Sequence, residues 1–181
     1  MSLRLFVALD LPDGVKDDLL GMAHGLPGAR WLDHDQLHLT LRFVGGDVDG
    51  AAYADLVHAL SRARRIPPFE LTLGGTGHFP PRGQARQVWA GVSRSDGLDA
   101  LHRRVDAAVN RLGHKPDRRR WTPHVTLARL DGTPSRKLAE FATERALWRS
   151  EPFEVDAFHL YSSHLHPKGA TYTVEETFRL D

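Results

Sequence analysis

Two four-residue segments, His38-Leu39-Thr40-Leu41 and His124-Val125-Thr126-Leu127, repeat one pattern in a chain of 181 residues. In an extended strand residues i and i+2 share a face. Each copy therefore sets an imidazole beside a hydroxyl, while Leu39 and Val125 point the other way into a core. At roughly 3.3 Å of rise per residue, the His and Thr of one copy stand about 6 to 7 Å apart, a gap that suits a phosphate oxygen. Two copies brought into one groove supply two imidazoles able to act as general acid and general base near neutral pH, and two hydroxyls to hold the group under attack. A lone HxT is usually the polar face of a half-buried strand. Two copies in matching frames, residues 37–43 and 123–129, point instead to an internal duplication of one strand.

The elements that position these strands follow from periodicity. Residues 3–9 read as a buried strand and 37–44 as the first motif strand, with a helix over 13–24 between them carrying Val15, Leu19, Leu20 and Ala23 on one side. A second helix over 50–65 ends at Pro67-Pro68. Residues 69–73 and 87–92 read as strands, separated by a Gly- and Pro-rich loop over 74–86. The strongest helical pattern runs over 97–112 (Leu98, Leu101, Val105, Val109, Leu112) with Asp96 as its cap. After the second motif strand, Thr133 as N-cap and Pro134 at N1 open a helix carrying Leu138, Phe141 and Leu147. Two β-rich segments, 153–161 and 170–180, close the chain as a hairpin around Pro167-Lys168-Gly169, and either half could hold it.

Composition bounds the chemistry. At 41% hydrophobic the chain buries a real core as one compact unit or two tightly joined lobes. The absence of cysteine excludes disulfide scaffolds, thiolate–zinc sites and cysteine nucleophiles. No apolar run approaches a membrane span, and Met1-Ser2-Leu3-Arg4 leads straight into a strand, so a soluble, cytoplasmic protein is expected. The net charge of +1 hides local clusters, Arg62, Arg64 and Arg65 at one helix end and Lys115, Arg118, Arg119 and Arg120 just before the second motif.

These residues carry a family resemblance. The opening Arg4-Leu5-Phe6-Val7-Ala8-Leu9, the segment His38-Leu39-Thr40-Leu41-Arg42-Phe43-Val44-Gly45, the strand Val88-Trp89-Ala90-Gly91 and Pro123-His124-Val125-Thr126-Leu127-Ala128-Arg129 together resemble the 2H phosphoesterase superfamily. The resemblance is greatest to its bacterial RNA 2′,3′-cyclic phosphodiesterase branch, also described as 2′-5′ RNA ligase-like, and the two HxT motifs are its specific part. It implies an α+β fold over residues 1–181, a single bilobal domain. Two pseudo-symmetric lobes are expected, each an antiparallel-dominated sheet with helices on its outer face, and the HxT strands line a central cleft. It also implies no cofactor and no metal. His38 is the general acid that protonates the leaving 3′ oxygen, His124 the base that activates water, and Thr40 and Thr126 hold the phosphoryl oxygens. Phe43 and Arg129 clasp the nucleobase.

The residue types agree with that chemistry. Hydrolysis of a strained cyclic phosphate needs a base, an acid and donors for the phosphoryl oxygens, and in-line geometry places acid and base on opposite sides of phosphorus. A pseudo-symmetric site can run either way round. Phe43 and Arg129 each lie five residues after their histidine, an odd offset that points to the opposite strand face unless a bulge intervenes. The expected partners are RNA ends or nucleotides bearing a 2′,3′-cyclic phosphate, with no membrane, and the chain is expected to act as a monomer. Two alternatives stay open: 2′-5′ ligation at the same site, and a non-catalytic RNA-end-binding module. No glycine-rich nucleotide loop supports ATP-driven ligation. His78, Tyr161, Ser162 and Tyr172 are further candidates for substrate contacts, and His164-Leu165-His166 could present two imidazoles but lacks a neighbouring carboxylate.

Overall fold

A computed structural model describes residues 3–181. Ten strands and four helices are arranged around one sheet. They are β1 (Leu3–Leu9), α1 (Asp13–Gly21), β2 (Ala29–Trp31), β3 (Leu39–Val48), α2 (Gly50–Ala63), β4 (Phe69–Leu71), β5 (Leu73–Phe79), β6 (Gln87–Val92), α3 (Asp96–Arg111), β7 (His124–Leu130), α4 (Ser135–Glu144), β8 (Phe153–Val155), β9 (Ala157–His166) and β10 (Gly169–Arg179). The sheet order is β10-β9-β1-β3-β7-β6-β5, with β2 on the far end of β7 and β4-β8 forming a separate ribbon. All recorded pairings are antiparallel.

This is the expected α+β architecture with two antiparallel halves, and the halves meet edge to edge. β10-β9-β1-β3 forms one and β7-β6-β5 the other. A single residue pair, Leu39 opposite Val125, joins them. Strand alternation then sorts the faces. Leu5, Val7, Leu9, Leu39, Leu41, Val88, Ala90, Val125 and Leu127 enter one continuous core with Leu56 and Leu60 of α2, Leu98, Leu101 and Val105 of α3, Val15 and Leu19 of α1, and Leu138 and Phe141 of α4. Phe6, Ala8 and Tyr161 form a separate cluster on the opposite face. The closing hairpin belongs to the first half, because β9 pairs with β1.

Several expectations are corrected. Much of the stretch expected as a loop, 74–86, is strand β5, where Gly74 and Gly77 reflect close packing rather than a turn, while Gly75 takes a positive φ of 67°. A Cβ on Gly77 would lie 2.2 Å from the Trp89 ring, and one on Gly74 2.4 Å from the Arg149 side chain. Helix α3 is capped by Ser95, whose hydroxyl accepts from the Leu98 N–H at 3.1 Å, and Asp96 sits one residue inside. Thr133 does not cap α4; its hydroxyl donates to the Pro27 carbonyl at 2.6 Å, and Pro134 takes the cap position. Leu147 lies beyond the helix end and is 91% exposed. Among the described residues, no helix is long and apolar enough to cross a membrane.

Candidate active site

Both motif histidines stand at the seam of the two half-sheets. His38 directly precedes β3 and His124 opens β7, each one residue from the Leu39–Val125 pair. Their rings are fixed alike. The His38 Nδ1 lies 2.7 Å from the Gln36 carbonyl, and the His124 Nδ1 2.7 Å from the Thr122 carbonyl. A carbonyl only accepts, so Nδ1 carries the proton in both rings and Nε2 is left as the basic nitrogen. The Thr40 hydroxyl donates to the His38 Nε2 at 3.0 Å. Gln36 is itself locked, its side chain accepting from the Asp33 N–H and donating to the Ala170 carbonyl.

The electrostatics favour neutral rings in the free cleft. Burial above all, with a smaller contribution from the nearby His124, lowers the His38 pKa to about 4, against the upward effect of its bond to Gln36. Burial also lowers His124. Asp10 raises the His38 value and Lys16 lowers it; the two form a 3.0 Å ion pair and largely offset each other.

A bulge in each strand resolves the odd offset of Phe43 and Arg129. Along β1–β3, Val7 pairs with Arg42 and Ala8 with Thr40, so Leu41 is the extra residue. Along β6–β7, Val88 pairs with Ala128 and Trp89 with Thr126, so Leu127 is the extra residue. Both bulges fall three residues after the histidine. Each shifts the alternation by one, placing two buried residues in succession and turning the fifth residue outward. Phe43 is 67% exposed, with its ring centroid 6.0 Å from that of Phe6 on the histidine face. Arg129 is exposed on β7, close enough to Tyr172 of the first half to lower its phenol's pKa against the larger upward effect of burial.

The first bulge is held from behind. Arg42 is buried, donating to Asp106, to the Asn110 side chain at 2.6 Å and to the Lys115 carbonyl at 2.7 Å, which ties β3 to α3. Arg42→Ala leaves four polar partners without this donor, the Phe43 carbonyl among them, and is expected to destabilise the fold by about 2 kcal/mol, less than a sealed ion pair because Asp106 is partly exposed. Urea unfolding measures this.

Known proteins match the chain over most of its length. The family model for the 2′-5′ RNA ligase superfamily matches residues 22–167. The chain belongs to that superfamily. It is 32% identical to the RNA 2′,3′-cyclic phosphodiesterase of Methanothermobacter thermautotrophicus, over 99% of this chain and 100% of that one, and 35% identical to the one from Thermus thermophilus, over 98% and 90%. A crystal structure of E. coli LigT complexed with 3′-AMP is similar with a TM-score of 0.80 at 28% identity, covering 99% of each chain.

In this 2H phosphoesterase the motif rings rest on aromatics that periodicity alone did not single out. Phe6 lies 5.0 Å from His38 and stacks on Tyr161, with Tyr172 edge-on to both Phe6 and His38. In the second half Phe79 stands edge-on to His124 at 5.0 Å, and Trp89 lies 5.7 Å from it. Gly77 leaves room for that indole. The signal was strand alternation, since Phe6 and Trp89 each occupy the out-of-core position of an otherwise apolar strand. Trp121 is another addition; it stacks on His102 at 3.8 Å and its indole N–H reaches the Thr40 carbonyl at 3.4 Å, bracing the segment before β7. Tyr161 and Tyr172 thus belong to the cleft. Ser162 pairs with Leu5 of the core-facing set and donates to Glu175, and His78 lies with Leu138 and Phe141 under α4. His166 pairs with Thr171, and no group of three or more potential metal ligands occurs among the described residues.

Proposed function

We propose that this chain hydrolyses RNA or nucleotide 2′,3′-cyclic phosphate ends to 2′-phosphates by two-histidine acid–base catalysis without a metal. The observation that carries this reading is the pair of imidazoles at the sheet seam, each with Nδ1 tied to a carbonyl, one residue from the pair that joins the halves. The relatives named RNA 2′,3′-cyclic phosphodiesterase support the substrate class.

In the proposed step His124 Nε2 takes a proton from water as its oxygen bonds to phosphorus. The bond from phosphorus to the 3′ oxygen breaks on the opposite side, and His38 delivers a proton to that oxygen. His38 must therefore be protonated on Nε2 in the complex. The negative charge of the bound phosphodiester favours the imidazolium, so the pair takes up one proton on binding and titrates as a unit. Thr40 and Thr126 hold the phosphoryl oxygens. Both HxT strands come from one chain, which supports a monomer acting as one bilobal domain; the reading places it in the cytoplasm.

The test is incubation with a short RNA ending in a 2′,3′-cyclic phosphate, in excess EDTA, followed by separation of the products. A 2′-phosphate end is expected. A 3′-phosphate end, or activity lost to EDTA and restored by a divalent cation, would overturn the mechanism.

Phe43 and Arg129 form the proposed base clasp, an aromatic face and a guanidinium plane that take any base. Phe43→Ala and Arg129→Ala are expected to weaken substrate binding by about 1 to 3 kcal/mol each for purine and pyrimidine ends alike. Melting curves should barely change, since both side chains are exposed. Arg129→Lys keeps the charge and loses the plane; full affinity in that variant would assign Arg129 to the phosphate.

A further inference from the structure

On the helical face of the first half, behind the cleft, α2 and α3 pack side by side and leave a groove of about 490 Å³. Alanines such as Ala63 and Ala107 floor it, and Arg62, Arg65, Arg103, Arg104 and Arg111 wall it. No carboxylate lines it. The chain as a whole is nearly balanced, with 24 Lys and Arg against 23 Asp and Glu, so this concentration does not follow from a basic composition. Arg104 has a structural task, donating to the Ala63 and Arg62 carbonyls at the end of α2. The side chains of the other four are exposed and make no ion pair or hydrogen bond among the described residues. Uncompensated like charges gathered in one groove repel one another until an anion neutralises them.

The groove connects to the cleft through the chain itself. Arg111 ends α3, and the segment that follows carries Lys115, Arg118, Arg119 and Arg120 before reaching His124. That segment is anchored to the motif strand at both ends, by the Lys115 carbonyl on Arg42 and by the Trp121 indole on Thr40. Arg119 is paired with Asp117 on the same segment, so Lys115, Arg118 and Arg120 carry the line of cations from the outer helices around the sheet to the motif histidines.

We propose that the α2–α3 groove binds the phosphate backbone of the RNA body whose cyclic phosphate end occupies the cleft, the segment 112–123 forming the track between them. This rests on the function proposed above and extends it from an RNA end to a polynucleotide. Guanidinium forks pair with phosphodiester oxygens, and an alanine floor lets a backbone approach closely. No aromatic residue lines the groove, so it holds backbone without reading bases.

The test replaces the four unengaged arginines together, Arg62→Gln, Arg65→Gln, Arg103→Gln and Arg111→Gln, leaving Arg104 in place. kcat/KM is measured on a mononucleotide 2′,3′-cyclic phosphate and on an RNA of roughly 20 nucleotides with the same end, longer than one single-strand groove covers. The mononucleotide value should stay at wild type. The RNA value should fall roughly tenfold or more through KM, with the slope of log affinity on log salt reduced by up to about 3. The four corresponding Arg→Lys changes should restore most of the loss, since point charges suffice for counterion release. Unchanged RNA kinetics, or an equal fall on both substrates, would overturn the proposal. Filter binding of the same RNA ending in a 3′-hydroxyl is read in parallel. If the wild-type protein turns over neither substrate, the proposed function fails and this binding alone decides the groove: a loss in the quadruple variant supports it, no loss overturns it. Competition by polyglutamate equal to that by RNA would assign the groove to acidic polypeptides and overturn it as well.

Discussion

His38→Ala and His124→Ala are each expected to lower turnover of a 2′,3′-cyclic phosphate end by about 10² to 10⁴-fold, the range for a positioned general acid or base. Both rings sit on the cleft face rather than in the main core, so the fold should survive either change. Because the two act as a unit in one displacement, the double variant should be scarcely slower than either single one. Thr40→Ala and Thr126→Ala should cost less, since each removes one hydroxyl from the phosphoryl oxygens and leaves the proton transfers in place. Single-turnover kinetics with a labelled RNA end separates these classes. Near wild-type turnover in either histidine variant would overturn the mechanism.

Acid should destabilise the protein through the same pair. The folded state holds His38 at about 4, against 6.5 for an ordinary imidazole, because burial disfavours the charged ring. The unfolded chain therefore binds this proton first. The stability tied to the neutral ring is fully present above pH 6.5, declines as the pH falls, and is lost once the pH drops through 4. The full shift corresponds to about 3 kcal/mol; because the ring is only half-buried, a loss of about 2 kcal/mol is expected. The lowered pKa of His124 acts in the same direction. Urea unfolding of wild type and His38→Gln at pH 7, 5 and 4 checks this. The variant should show a flatter dependence by that amount, and parallel curves would contradict the burial argument.

The positions of the motif residues were readable in the sequence because HxT states its own geometry. Two-residue alternation puts His38 with Thr40, and His124 with Thr126, whatever the strand order. Strand register was not readable in the same way. Whether Phe43 and Arg129 share the histidine face depends on an extra residue at Leu41 and at Leu127, and a bulge is a property of two strands together, visible only when the partner's register is known. The odd offset marked the places where a bulge was needed without supplying it. β5 was hidden for a different reason. Gly74, Gly75 and Gly77 read as a loop by composition, yet Gly77 is small because Trp89 lies over it. The attachment of the closing hairpin to β1 rests on long-range pairing, which neither periodicity nor turn residues encode.

The single rung between Leu39 and Val125 has a mechanical consequence. Within each half, neighbouring strands are laced by several backbone pairs, whereas among the described residues a single backbone pair joins β3 to β7. The seam is thus the line of the sheet with the fewest backbone bonds, and a rotation of one half against the other would pivot there. Each motif imidazole sits one residue from that pair, on the shortest lever arm available. Phe43 and Arg129 stand four residues further along their strands and sweep a wider arc for the same rotation. Widening the groove to admit or release a nucleotide would therefore displace the proposed base clasp far more than it would change the spacing of the two imidazoles.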